Sequence, residues 1–128
     1  MQKKHKVWKK VVLGGIDVNL VLLTPKNSGF PQGSDRKIFW DHAQSSLGLR
    51  LCPVGLAQEL RTQYQDQKVG ELLRVVEEPS IGPKPRAFLL KVRGTSRTPQ
   101  LPYISEESYK LCWAGEKWLF ALPPASDK

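Results

Sequence analysis

Between Val7 and Leu23 the apolar residues fall into two runs, VWKKVVL and IDVNLVLL, on either side of Gly14-Gly15. In the second run Ile16, Val18, Leu20 and Leu22 share one face at period two, with Asp17 and Asn19 on the other. In the first run Val7, Val11 and Leu13 share a face with Lys9. Alternation on both sides of two glycines, each free to take a positive φ, predicts a half-buried antiparallel hairpin.

The pattern then changes. Thr24 to Ser34 carries Pro25, Asn27, Gly29, Pro31 and Gly33 and reads as a loop. Ser34 or Asp35 can cap a helix, because a side-chain oxygen there accepts from the open N–H groups of the first turn. Ile38, Phe39, His42, Ala43 and Leu47 follow at helical spacing, with Gly48 as a stop. Pro53 suits the first turn of a second helix, in which Leu56, Leu60 and Tyr64 recur one turn apart beside Ala57.

The C-terminal half returns to strands. Residues 71–78 and 86–93 read as a strand pair joined by a loop containing Gly82, Pro83 and Pro85. Phe88, Leu90 and Val92 lie on one face of the second strand, and Leu89, Lys91 and Arg93 on the other. Gly94 to Pro102 is a polar loop or arm, and Ser105 can cap a short turn ahead of Glu106-Glu107. Tyr109–Trp113 and Trp118–Leu122 flank Ala114-Gly115-Glu116-Lys117 as a third hairpin. The order predicts one α+β domain over residues 1–128, with a basic arm at 1–6 and a frayed tail at 123–128. Its expected architecture is a mostly antiparallel sheet of about six strands, in hairpins, with two helices packed on one face.

Composition narrows the class. With 128 residues, 40% of them apolar and 25% charged, the chain is long enough for a core and too apolar for wholesale disorder. No apolar stretch approaches the length of a membrane span. A basic start followed by Val11 to Ile16 has the outline of a secretion signal, but Asp17 and Asn19 interrupt the apolar run. The expectation is therefore a cytoplasmic protein in which Cys52 and Cys112 are buried, unpaired thiols.

Candidate chemistry is sparse. His5, His42, Cys52 and Cys112 lack the CxxC or HxxxH spacing of a metal site, so neither metal nor cofactor is expected. Asp41-His42 with Cys52 invites a thiol–imidazole reading, yet adjacent helical residues point about 100° apart, so Asp41 is poorly placed to orient His42. Glu77-Glu78 and Glu106-Glu107 are adjacent pairs, each offering one inward carboxylate on a strand. Glu77 with Lys91 suggests a nuclease-like acid–lysine pair, although cross-strand surface ion pairs explain such residues more simply. No motif specifies a reaction.

Charge is the stronger signal. Twenty Lys and Arg against 12 Asp and Glu give a net charge of +8. The excess sits in two segments: Lys3, Lys4, Lys6, Lys9 and Lys10 near the start, and Lys84, Arg86, Lys91, Arg93 and Arg97 around the basic strand. With Trp8 as a ring for base stacking, these ten residues form a candidate nucleic-acid-binding set. The sequence thus predicts a small non-catalytic binding protein that contacts nucleic acid. The alternative is an adaptor or structural subunit whose basic segments dock on an acidic protein partner. A broad positive face would favour the first, and an apolar patch rimmed by charge the second.

Overall fold

The computed structural model describes residues 5–80, 82–93, 98–104 and 111–123, with residues 93, 98–100 and 103–104 described by their backbone alone. Lys9–Leu13 (β1) and Ile16–Leu23 (β2) form the expected hairpin, pairing Val11 with Val18 and Leu13 with Ile16. Gly14 and Gly15 turn it at φ 60° and 81°, left-handed values that side chains resist. Ser34–Asp35 (β3) leads into Arg36–Asp41 (α1), which continues as one wide π-helical turn over His42–Ser46. Leu56–Gln63 (α2) follows, then Leu73–Glu77 (β4) and Arg86–Arg93 (β5), paired antiparallel as expected. Thr98–Gln100 (β6), inside the stretch read as a loop, and Tyr103–Ile104 (β7), just after it, both pair with β5. Pro99, within β6, is tolerated because this is an edge addition. Leu111–Cys112 (β8) and Lys117–Ala121 (β9) complete the order.

The chain is α+β, but its sheet differs from the expected antiparallel one. The main path runs β1-β2-β9-β4-β5-β6, with β7 also on β5, and the β4–β9 pairing is parallel. The third hairpin does not form: β8 pairs with β3 in a separate small sheet, matching Ser34 with Cys112, and β9 goes to the centre. The cause is in its sequence. KWLFA is buried at four consecutive positions from Trp118 to Ala121, and only a central strand covered on both faces accommodates that. Gly33 makes the β3–β8 approach possible, since a Cβ there would meet the Cys112 carbonyl at 2.8 Å. Tyr109, Lys110, Ser105 and the Glu106-Glu107 pair lie outside the described residues.

The helices also do not share a face. Leu56, Ala57 and Leu60 of α2 pack with Val18, Leu20, Leu73, Val75, Leu90 and Leu119. Phe39, Trp40 and Ala43, on α1 and its continuation, pack with Val21, Leu23, Val76, Ala87, Trp118 and Phe120. Those strand residues alternate, so the helices lie on opposite sides of the sheet. The second half of β2 explains this. Leu20 faces α2, while Val21 and Leu23 face α1, and all three are buried. Ile16 and Ile38, both expected inward, are instead 68% and 57% exposed. Ile38 gives way to Trp40 on the inner side of α1.

Polar ties hold α2 in the curl of the sheet. Glu77, on β4, is almost fully buried, and its carboxylate accepts from the N–H groups of Gly55 (3.0 Å) and Ala57 (2.8 Å). The expectation that Glu77 serves as a surface ion pair is therefore replaced by a cap on the N-terminus of α2, where a carboxylate meets open N–H groups and the positive end of the helix dipole. At the other end the Arg61 guanidinium donates to the carbonyls of Lys91 (3.1 Å) and Tyr64 (3.1 Å) and to the buried Gln67 side chain (2.9 Å). Also at this end, Gln63, the last residue of α2, binds the backbone of Val12 on β1. β1, at one end of the main path, and β5, near the other, are thus bonded to one helix.

Candidate polyanion-binding surface

α1 begins where the Asp35 carboxylate accepts from the N–H of Lys37 at 2.9 Å, the cap its sequence predicted. Burying Phe39, Trp40 and Ala43 turns Arg36, Lys37, Asp41 and Gln44 toward a cleft. The Arg36 guanidinium lies 5.4 Å from the Trp40 ring centre. The loop between β4 and β5 brings Lys84 and Pro85 into the lining of the cleft, which also includes Leu51. The cleft has a volume of about 350 Å³. Among the described residues its lining carries three cations and one carboxylate, Asp41, whose oxygen is 3.9 Å from the Lys37 ammonium. Such an imbalance on a concave surface concentrates positive potential.

The expected basic set is divided between the two sides of the sheet. Lys6 and Lys10 are exposed on the α1 side, where the Lys10 ammonium lies 3.6 Å from the Asp17 carboxylate. Lys91 has its side chain on that side too, by alternation from Ala87, and is half-buried. Lys9 and Trp8 lie on the α2 side. The Lys9 ammonium sits 5.4 Å from the Trp8 ring centre and 4.8 Å from that of Tyr64, and Trp8 packs edge-on to Tyr64 at 5.4 Å. Trp8 is therefore half-buried against Tyr64 rather than open on both ring faces. Arg86 is also turned to the α2 side, 5.7 Å from the Phe88 ring centre and donating to the Ser80 hydroxyl at 3.4 Å. Lys3, Lys4 and Arg97 lie outside the described residues, as does the Arg93 side chain.

Of the expected residues whose side chains are described, then, Lys84 alone enters the cleft, and it meets Arg36 and Lys37, which sequence reasoning passed over as part of a helix start. A signal was available. Arg36 stands one helical turn before Trp40, so both were bound to share a side of α1.

The nucleophile candidates are packed away. Cys52 is fully buried, its thiol pushed far up by burial and secondarily by Glu77 and Glu78, and it donates weakly to the Leu119 carbonyl at 3.7 Å. Cys112 is pushed up to about 12, again chiefly by burial. Both thiols are free. Cys52 belongs to the α2-side core, whereas the His42 ring packs edge-on to Phe30 at 5.3 Å, beside the α1-side core. Among the described residues no three His, Cys, Asp or Glu side chains gather as metal ligands would, and no helix is long and apolar enough to cross a membrane.

One apolar surface stands apart from the basic cleft. Trp113 is 67% exposed and shares a groove with Leu72, rimmed by the Arg74–Glu116 (3.4 Å) and Lys117–Glu71 (3.8 Å) ion pairs. Leu111 is exposed as well, two residues before Trp113 and on the opposite side of the chain from the buried Cys112.

No protein-family model matches the chain, and no curated protein or solved structure is significantly similar to it.

Proposed function

We propose that this domain binds a polyanion, nucleic acid foremost, through the α1 side of its sheet, and does so without catalysis. The observation that carries this reading is the convergence of Arg36, Lys37 and Lys84 on one cleft, where Asp41 is the carboxylate among the described lining residues. Lys6, Lys10 and Lys91 extend the positive charge on the same side. A guanidinium grips phosphate oxygens in pairs, and the lysines add point charges beside it. Trp40 is buried and Trp8 is packed on Tyr64, so these rings give little area to bases. Recognition on this account is of the backbone: dependent on salt and weakly dependent on sequence. Titrating a fluorescent oligonucleotide with the protein over a series of salt concentrations tests it. A Kd that weakens steeply with salt supports the reading, and no binding at low salt removes it.

A second reading has its own support. Trp113, Leu72 and Leu111 with their ion-paired rim have the composition of a protein-docking surface, where exposed tryptophan is concentrated. On that reading the domain is an adaptor, and Trp113→Ala abolishes partner capture while oligonucleotide binding is unchanged.

A further inference from the structure

Both histidines of the chain, His5 and His42, line a second cleft, of about 470 Å³, together with Lys6. It lies beside the same helical segment as the basic cleft, which is lined by residues from Arg36 to Gln44, while this one takes His42 and Leu47. Asn27, Ser28 and Gly29 form another part of the wall, and β2 contributes only Val21, Leu22 and Leu23. Among the described residues no carboxylate lines the cleft. The neighbouring described charges are Lys26, on the turn carrying Asn27, and Asp41, which precedes His42 but lines the basic cleft and pairs with Lys37.

The hydrogen bond of His5 determines what it offers a ligand. Its Nε2 lies 2.8 Å from the Leu47 carbonyl oxygen. A carbonyl only accepts, so Nε2 carries the hydrogen. In the neutral ring Nδ1 is then a bare lone pair, which repels an anion. Protonation converts Nδ1 into a second donor without breaking the bond to Leu47. Leu47 also donates its N–H to the His42 carbonyl at 3.1 Å, so one residue is bonded to both histidines. An anion in this cleft meets one permanent cation, Lys6, and two rings of the side-chain type that charges between about pH 5 and 8.

We infer that His5, Lys6 and His42 form a phosphate-group site that fills only when His5 is protonated. As a subsite of a bound polyanion it rests on the reading above; as an anion site it does not. The affinity of the α1 side for phosphate groups then rises as pH falls, over and above the pH-independent grip of Arg36, Lys37 and Lys84.

The test is proton NMR of the two histidine rings titrated from pH 8 to 5, in sodium sulfate and in sodium chloride at equal ionic strength. Sulfate keeps its charge over this range. At saturating sulfate, a tenfold preference for the charged ring raises the His5 midpoint by about one pH unit relative to chloride, and a stronger preference by more. The replacement Lys6→Ala, at an exposed position, should shrink that rise without unfolding the domain. His5→Gln should abolish the sulfate response at His42. Equal midpoints in the two salts overturn the proposal, as does a rise that survives Lys6→Ala at full size. A single-stranded oligonucleotide in place of sulfate identifies the source of the phosphate group. Raised midpoints there place a polyanion in the cleft, while a response to sulfate alone supports a site for free phosphate-sized anions. In that last case this site stands without the polyanion, while the polyanion reading stands or falls separately on oligonucleotide binding measured by anisotropy, so the two failures are distinguishable.

Discussion

The side-chain amide of Gln63 is bonded twice to the backbone of Val12: it donates to the Val12 carbonyl at 2.9 Å and accepts from the Val12 N–H at 3.3 Å. β1 is the terminal strand of the main sheet path, and an end strand is where another chain can add itself. Gln63 thus ties α2 to the sheet and occupies part of that edge. Gln63→Ala should cost about 1 kcal/mol, since the released groups are exposed and regain water. The sharper readout is amide hydrogen exchange. Val12 should exchange faster in the variant, while Val11, on the α2-facing core, changes little. Equal exchange at Val12 in both proteins would remove the tie.

Burial differs sharply along β2 and gives a second prediction. Leu20 is fully buried, whereas Ile16 is 68% exposed on the same alternating pattern. Leu20→Ala should destabilise the domain by about 2–5 kcal/mol. Ile16→Ala should cost about 0.5 kcal/mol or less. Denaturant unfolding of the two variants checks both, and equal costs would contradict the arrangement of β2.

That contrast shows what the sequence made legible. The Gly14-Gly15 hairpin, the Asp35 cap and the β4–β5 pair were readable because each is specified by neighbours in the chain. The central place of β9 was not. Its burial on both faces depends on β2 and β4, which are remote in sequence, and a hairpin with β8 satisfied every local rule. The side taken by each helix was hidden for the same reason: Val21 and Leu23 look like a continuation of one apolar run until α1 is seen to cover them. In the candidate site Lys84 was visible as excess charge, but Arg36 and Lys37 were masked by nearby acids, Asp35 and Asp41, that α1 sorts into a cap and an ion pair.

The thiols should be inert. Burial raises both Cys52 and Cys112 well above the ordinary range, which leaves almost no thiolate at neutral pH. Iodoacetamide at pH 7.5 should leave the folded protein unmodified and label both residues once it is unfolded. Rapid labelling of Cys52 in the folded state would revive a catalytic reading.

Tyr64 provides a pH prediction. Its phenol is pushed up to about 12, first by burial and then by the hydrogen bond it donates to Glu71 at 2.8 Å. The folded state therefore keeps a proton that the unfolded chain releases near pH 10. This contribution to stability is complete below pH 10 and is lost as pH rises from 10 toward 12. Tyr64→Phe should flatten the decline in melting temperature over that window relative to the unmodified protein. Parallel declines would mean that Tyr64 is not protected.

The central claim is that the α1 side holds phosphate through Arg36, Lys37 and Lys84, and fluorescence anisotropy with a labelled oligonucleotide tests it most directly. The protein and the triple variant Arg36→Ala, Lys37→Ala, Lys84→Ala are titrated from 50 to 200 mM salt. Each lost phosphate contact should flatten the log–log salt slope by about 0.9 on duplex DNA and about 0.7 on single strands. The account predicts binding tighter than about 100 μM at 50 mM salt, with a slope about two to three units shallower on duplex in the variant. No binding at 50 mM salt, or binding with a slope that the triple replacement leaves unchanged, would contradict it.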